Sequence, residues 1–270
     1  MYKLSVIGVG NMAKAIIGGV VNAKNDISAI TLFDKIESQY KSLEALEYDF
    51  LYSDNIAKAI EDADLVLLAV KPQSYDDVLS EIACCDGYSN KTYISIAAGI
   101  TAGEVSSKLG DANVIRVLPN LPMVIGRGVS LICKNDKVEK AVFDCVTSLF
   151  ASSGSVRIID ESEMNRLISV TSSSPAYVFE FIDSIYKGAL AQGLDGGGLL
   201  PVICDVIIGS AMLLKASSDT PAELVSKVSS KGGTTEQAIK TLKEFDFEGI
   251  IGKAMMACTV RADELGRKKQ

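Results

Sequence analysis

The 270-residue chain has no histidine and no tryptophan. Without an imidazole, Ser-His-Asp and Cys-His triads are excluded, and so are His-ligated zinc sites. Any chemistry must proceed without an imidazole acid or base. The six cysteines (Cys84, Cys85, Cys133, Cys145, Cys204 and Cys258) contain no C-x-x-C pair and no metal-ligand spacing, so no metal site is expected. Four of them lie in apolar stretches, where Cys acts as a small hydrophobe, and a reducing cytoplasm fits that usage. Basic charge is short as well. A net charge of -7 argues against a nucleic-acid partner, which calls for a basic face. No apolar run goes uninterrupted for the length of a membrane span. The longest, Gly198 to Leu214, is broken by Pro201, Asp205 and Gly209, and it reads as a helix buried on most sides. The opening M-Y-K-L-S-V-I-G-V-G is too short and too broken by glycine for a signal peptide.

With 48% apolar and 23% charged residues, the composition is that of an ordinary globular protein, and the length suffices for two modest domains. Short apolar runs suit strands at Lys3 to Ile7, Ala29 to Phe33, Phe50 to Tyr52, Leu65 to Val70, Thr92 to Ala97, Asn113 to Leu118 and Val129 to Cys133. Helical spacing falls between them at Asn11 to Val21, after Asp34, around Asn55 to Glu61, at Tyr75 to Cys84 and at Ala102 to Leu109. This alternation predicts an α/β Rossmann domain, a doubly wound parallel sheet, over residues 1–160. Beyond it, Asp160 to Ser169, Ala176 to Leu190, Leu199 to Ala216, Ala222 to Val228, Glu236 to Phe245 and Gly249 to Leu265 all suit helices. Residues 161–270 are therefore expected to form an all-helical domain. The tail R-K-K-Q reads as frayed and solvated.

Gly8-Val9-Gly10-Asn11-Met12-Ala13 is G-x-G-x-x-A between a strand and a helix. Gly8 permits the tight turn, Gly10 lets the backbone approach a pyrophosphate, and Ala13 lets the helix lie close on the sheet. Any tight βα turn could carry two glycines. Here the flanking strand, the helix and Asp34, twenty-four residues after Gly10, agree on a dinucleotide. Asp34 ends the second strand, where a carboxylate accepts from the adenosine ribose and repels a 2′-phosphate; Lys35 would attract that phosphate. The pair leans toward NADH and leaves NADPH open. Ala69-Val70-Lys71-Pro72 lies past the carboxyl end of an apolar strand, where an open α/β sheet contacts its ligands, although Lys71 reads equally as a solvated lysine before a proline turn.

A second glycine loop, V-S-S-K-G-G-T-T-E-Q-A-I, spans residues 228–239. Thr234-Thr235-Glu236-Gln237 fits a T-x-x-Q capping box with Thr234 as the N-cap. A helix start of this kind attracts anions, and a small carboxylate would fit it. Spacing alone fits a plainly capped loop between helices better than a ligand loop. Thr220-Pro221-Ala222-Glu223 is a comparable box, read as structural. One glycine loop for a cofactor and one for a substrate, on separate domains, would describe a two-substrate enzyme with its site in the cleft.

Taken together, G-V-G-N-M-A (8–13), A-V-K-P-Q (69–73), A-A-G-I-T (97–101), R-V-L-P-N-L-P (116–122), S-S-S-P-A-Y-V-F (172–179) and S-K-G-G-T-T-E-Q-A-I (230–239) resemble the motifs of the pyrroline-5-carboxylate reductases. That family makes proline by reducing a cyclic imine with NADPH or NADH. The stretches come in the family's order and span nearly the whole chain, and the last three in series are specific. The resemblance implies a Rossmann domain followed by a helical domain that interleaves with a partner's in a homodimer, often assembled further. It implies that Ile7, Gly8, Val9, Gly10, Asn11, Met12, Asn55, Ala69, Val70, Lys71 and Pro72 contact the cofactor, with Ala97 and Ala98 near the nicotinamide. Pro119 and Asn120 would line the cleft. Gly233, Thr234 and Thr235 would meet the substrate, with the Thr235 hydroxyl at the ring nitrogen. The missing histidine fits this chemistry, because a cyclic imine is protonated near neutral pH and then takes hydride directly.

Three stretches depart from the family pattern. Lys231 stands in place of a proline, Leu121 in place of a threonine, and Leu194-Asp195-Gly196-Gly197 lacks a proline–basic pair. Two alternatives stay in view, the first motivated by Lys231 and Leu121 and the second by a shared pairing of a Rossmann domain with a helical one. One is a nucleotide-binding regulatory or scaffold paralogue without turnover. The other is a β-hydroxyacid dehydrogenase, which would need a catalytic lysine such as Lys187 on a helix of the second domain.

Overall fold

The computed structural model describes residues 1–23 and 25–267. The solvated tail expected at R-K-K-Q lies outside the described residues, except for Arg267, which closes the last helix. The chain divides into two compact units, Met1–Pro175 with Cys258–Gln270, and Ala176–Ala257.

In the first unit the elements run β1 (Tyr2–Ile7), α1 (Asn11–Asn22), β2 (Ile27–Phe33), β3 (Leu51–Tyr52), α2 (Ile56–Ile60), β4 (Leu65–Leu68), α3 (Tyr75–Ala83), β5 (Thr92–Ser95), α4 (Ala102–Lys108), β6 (Asn113–Leu118), β7 (Gly128–Lys134), α5 (Lys140–Ala151), β8 (Gly154–Ile158) and α6 (Glu161–Leu167). The polar segment after Asp34, expected to be helical, is a run of 3-10 turns over Glu37–Leu46. The strands form one sheet in the order β3-β2-β1-β4-β5-β6-β7-β8. Chain order reverses beside β1, so the carboxyl ends of β1 and β4 flank the crevice where an open α/β sheet takes its ligands.

The sheet is parallel except where β7 runs antiparallel to β6. Residues 119–127 are too few for the crossover that a parallel pairing would need, and they hold a 3-10 turn at Leu121–Ile125 instead. Both faces of the sheet are covered, as the near-continuous apolar strands require. On β4, Leu65 and Leu67 pack toward α1 and α5 with Ile16, Ile17, Val146 and Leu149. Val66 and Leu68 pack to the other face with Ile60, Leu79, Ile82 and Val105. Each such fully buried side chain contributes roughly 1.5–3 kcal/mol. A third cluster joins Leu118, Leu131 and Cys133 to Met164 of α6, to Ile168 just past that helix and to Ala262 on the last helix.

The remaining helices are α7 (Ser174–Ala191), α8 (Leu199–Ala216), α9 (Pro221–Val228), α10 (Thr234–Glu244) and α11 (Phe247–Arg267). As the sequence suggests, α9 starts with a capping box. The Glu223 N–H donates to Thr220 Oγ1 (3.3 Å), the Thr220 N–H donates to Glu223 Oε2 (2.7 Å), and Pro221 takes the first helical position. The burial expected for α8 is not met within the single chain. Ile203 is its buried residue, while Val206 and Met212 are 61% and 65% exposed. Among the described residues, α8 is the one helix long and apolar enough to cross a membrane by length and composition.

Candidate active site

The expected cofactor residues lie along one edge of the sheet, at or past the carboxyl ends of β1, β2, β3, β4 and β5. Gly8 has φ +92°, and a Cβ there would stand 2.9 Å from the Ala69 carbonyl oxygen and from Val70 Cγ1. Only glycine lets the β1–α1 turn lie against the end of β4. Gly10 differs. Its backbone is extended, with φ -76° and ψ -179°, and an added Cβ would meet nothing within 4 Å. It is the N-cap of α1, and that helix has neither a side-chain cap nor an acidic residue in its first turn. The first-turn N–H groups of α1 are thus left uncapped beside an open approach, which fits an anionic pyrophosphate. Ala13 is buried, as close packing of α1 on the sheet requires.

Asp34 is oriented by its own loop. The Val9 N–H donates to Oδ2 (2.7 Å) and the Ile36 N–H donates to Oδ1 (2.8 Å), while the Asp34 N–H donates to the Tyr40 hydroxyl (2.7 Å). Each carboxylate oxygen retains acceptor capacity. Asp34, exposed Lys35, Ser38, Tyr40 and Lys41 line an open cleft of about 1090 Å³. Asn55 is the N-cap of α2: the Lys58 N–H donates to its Oδ1 (2.9 Å), and its Nδ2 donates to Asp54 Oδ1 (2.9 Å). Past β4, Ala69 and Val70 are half-buried and Lys71 is exposed, with Pro72 opening a 3-10 turn. In the loop after β5, Ala97 is buried and Ala98 half-buried.

The structure adds side chains that the sequence reading passed over. Buried Tyr75 donates its hydroxyl to the Leu68 carbonyl (2.8 Å) and lies 3.0 Å from Ser95 Oγ, tying the ends of β4 and β5 together. Burial raises its pKa, so the phenol stays protonated and serves as a brace. Arg116, 1% exposed on β6, pairs with Glu161 of α6 (3.2 Å). Its signal in the sequence is a lone charge inside the apolar strand N-V-I-R-V-L. Asn120 is buried and both ends of its amide are engaged. Its Nδ2 donates to the Thr171 carbonyl (3.1 Å), and the Val129 N–H donates to its Oδ1 (2.8 Å). Ser172 Oγ donates to the Pro119 carbonyl (3.1 Å), so the P-N-L-P and S-S-S-P stretches meet.

In the second unit, the loop between α9 and α10 corrects one expectation. Thr234 is not the N-cap and the T-x-x-Q box does not form. Gly233 holds that position, with φ -81° and ψ 168° and no side-chain cap. The Gly233 N–H donates back to the Ser230 carbonyl (2.9 Å), and the Gly232 N–H donates to Glu236 Oε2 (2.7 Å). The Glu236 carboxylate is a stronger acceptor than the neighbouring Gln237 amide, and the cap moves back one residue with it. Thr234 is exposed and Thr235 half-buried, and neither hydroxyl has a hydrogen-bond partner among the described residues. Lys231 is exposed. Lys187, the lysine a β-hydroxyacid dehydrogenase would need, is a surface residue paired with Asp183 (2.5 Å).

Known proteins share this fold. The pyrroline-5-carboxylate reductase dimerisation family matches residues 161–265, and the coenzyme F420-dependent NADP oxidoreductase family matches residues 3–99. A pyrroline-5-carboxylate reductase of Vibrio alginolyticus is 35% identical over 97% of each chain. One of Corynebacterium melassecola is 31% identical over 99% of this chain and 100% of the relative. The 1-pyrroline-5-carboxylate reductase of Streptococcus pyogenes has a TM-score of 0.88 at 27% identity, covering 97% of this chain and 98% of its own. The Plasmodium falciparum pyrroline carboxylate reductase, solved with NADP bound, shares the fold with a TM-score of 0.88 at 24% identity over 98% of both chains. Full-length identity above 30% and a dimerisation family that begins where α6 begins lead to one assignment: the chain belongs to the pyrroline-5-carboxylate reductase family.

Proposed function

We propose that the protein reduces L-1-pyrroline-5-carboxylate to L-proline with NADPH or NADH, the last step of proline biosynthesis. The observation that carries the reading is the uncapped start of α1 behind the open Gly10, at the edge where β1, β2, β4 and β5 end. Ile7 to Met12 hold the pyrophosphate, Asp34 and Lys35 address the adenosine ribose, and Asn55 and Ala69 to Pro72 complete the cofactor contacts. Ala97 and Ala98, small side chains in a short loop, leave room for the flat nicotinamide. Bound NAD(P)H supplies the hydride.

The chain's own residues have the lighter task that an iminium substrate sets. The ring nitrogen is protonated near neutral pH, so the carbon accepts hydride without a strong base from the protein. Gly233, Thr234 and Thr235 at the start of α10 hold the substrate carboxylate, and the Thr235 hydroxyl orients the ring nitrogen. Asn120 acts by bracing the segment after β6, given that its amide is already engaged on both sides. Neither Lys231 nor Leu121, both exposed, removes a group this chemistry requires.

The protein is a homo-oligomer, in keeping with its dimerisation segment. We assign residues 1–160 to cofactor binding and 161–270 to substrate binding and dimerisation, with a homodimer as the basic unit, open to higher assembly, in the cytoplasm. The apolar surface of α8 left open by the single chain supports a second copy as its cover.

The test is oxidation of NADPH and of NADH with L-1-pyrroline-5-carboxylate, set against β-keto acids and a no-substrate control. Turnover with the cyclic imine alone is expected. Tight cofactor binding without oxidation on any imine would sink the enzyme reading in favour of a scaffold paralogue.

A further inference from the structure

Arg116 poses a problem of its own, because a buried guanidinium is costly unless its donors are met. Nη1 donates to Glu161 Oε1 (3.2 Å) and Nη2 to Asn165 Oδ1 (2.8 Å), and Asn165 Nδ2 donates to Asp263 Oδ1 (3.0 Å). Nε is buried without a partner among the described residues. The arrangement satisfies Arg116 incompletely: Glu161 and Asn165 meet two of its donor nitrogens and leave Nε unmet.

Glu161 Oε1 has a second donor. The Ala102 N–H donates to it at 2.7 Å, closer than the arginine does. Ala102 is the first residue of α4 and ends the Ala97–Thr101 loop. The N-cap of α4 is locally complete, since the Thr101 N–H donates to Glu104 Oε2 (2.6 Å) and the Glu104 N–H donates to Thr101 Oγ1 (3.1 Å). A carboxylate fifty-nine residues further along the chain nevertheless takes the next N–H. The near end of the loop is fixed by Tyr75 at Ser95, and the far end by Glu161 at Ala102.

We propose that Glu161, held in place by Arg116 and Asn165, is a positioning residue that fixes the Ala97–Thr101 loop and thereby the plane of the nicotinamide. The inference rests on the proposed placement of the nicotinamide beside Ala97 and Ala98. Glu161 begins both α6 and the segment matched by the dimerisation family, so the loop takes its position from that segment. Misplacing reacting groups by about 1 Å costs up to about 100-fold in rate.

Two conservative variants separate positioning from plain charge pairing. Glu161→Gln keeps an acceptor oxygen in reach of the Ala102 N–H and loses the charge. Glu161→Asp keeps the charge and withdraws the carboxylate by one bond, about 1.5 Å. Turnover numbers at saturating pyrroline-5-carboxylate and NAD(P)H are compared on soluble protein. Alongside them, the primary isotope effect is measured with nicotinamide deuterated at the transferred position. Positioning predicts that the Gln variant turns over at least fivefold faster than the Asp variant, and that the isotope effect grows in the Asp variant as hydride transfer becomes limiting. A structural ion pair predicts the reverse order. A Gln-to-Asp ratio of two or below, including a Gln variant that fails to fold while the Asp variant works, overturns the proposal. Wild-type turnover is the separate check: without it the proposed function fails, and with it a low ratio counts against Glu161 alone.

Discussion

The two glycines of the first turn should respond oppositely to the same methyl group. At Gly8, alanine would be forced into the left-handed region at φ +92°, at a cost of about 1–2 kcal/mol. Its Cβ would also press on the Ala69 carbonyl at 2.9 Å, and that backbone belongs to the end of a central strand. A total loss of about 2–4 kcal/mol is expected for Gly8→Ala, in the range of substitutions that break a special backbone conformation. At Gly10 the backbone is already extended and the methyl meets nothing within 4 Å. Restricting the unfolded chain gains about 0.4–1 kcal/mol, and replacing glycine by alanine at an N-cap loses a similar amount. Stability should therefore stay within about 1 kcal/mol of wild type. What the methyl occupies is the approach of a pyrophosphate to the α1 N–H groups, so cofactor affinity should fall at least about tenfold, or 1.4 kcal/mol. Urea unfolding at fixed protein concentration and calorimetric titration with NADPH and NADH measure the two effects. The reasoning is refuted if Gly10→Ala binds cofactor within twofold of wild type, or if it is as unstable as Gly8→Ala.

Thr235→Ala should lower kcat at least about tenfold while cofactor affinity measured by titration is unchanged, as loss of one oriented donor at the reacting centre requires; a wild-type rate would move the substrate elsewhere. Asp34→Ser should raise the NADPH-to-NADH ratio of kcat/KM by roughly five- to tenfold, the value of one unit charge about 4 Å away in a solvated cleft, and an unchanged ratio would remove Asp34 as the ribose reader. Burial pushes the Cys133 thiol up from 9.0 to about 11. The unfolded chain then loses this proton first, so the stability this thiol contributes is full below pH 9 and is lost as pH rises from 9 toward 11. Cys133→Ala should flatten that decline in denaturant unfolding across this window; an unaltered slope would show that the Cys133 thiol ionises alike in the folded and unfolded states.

The parts of this molecule that announce themselves in the sequence are those with a short-range cause. Gly8 and Gly10 declare a turn, and L-V-L-L at Leu65–Leu68 declares a strand buried on both faces. The Thr220 box was legible because all its partners lie within four residues. The second box failed at the same range: Thr234 and Gln237 have the right spacing, but Glu236 lies between them and offers a charge. Strand β8 and helix α5 went unread. G-S-V-R-I at Gly154–Ile158 is short, carries polar residues and is mostly exposed at the sheet edge, while α5 follows a strand pair whose reversal no local pattern signals. The commitments of Asn120, Tyr75, Arg116 and Glu161 span between seven and fifty-nine residues of sequence, and spacing carries no record of such partners. Burial of α8 was expected from its composition, and the single chain does not provide it.

Helix α11 starts among the helices of the second unit, and from Cys258 onward its residues belong to the first. There Ala262 packs with Leu118, Leu131 and Met164, Asp263 accepts from Asn165, and the Cys258 thiol lies 3.0 Å from Ser173 Oγ. On the ribosome, these last contributors emerge after every residue of the second unit. The cluster around Leu118, Leu131, Met164 and Ile168 therefore lacks the Ala262 packing until the segment from Cys258 has been made, whereas the buried members of the two clusters on the faces of the sheet reach no further than Phe150. Completion of the first unit thus waits until the segment from Cys258 onward has been made, after the whole of the second unit.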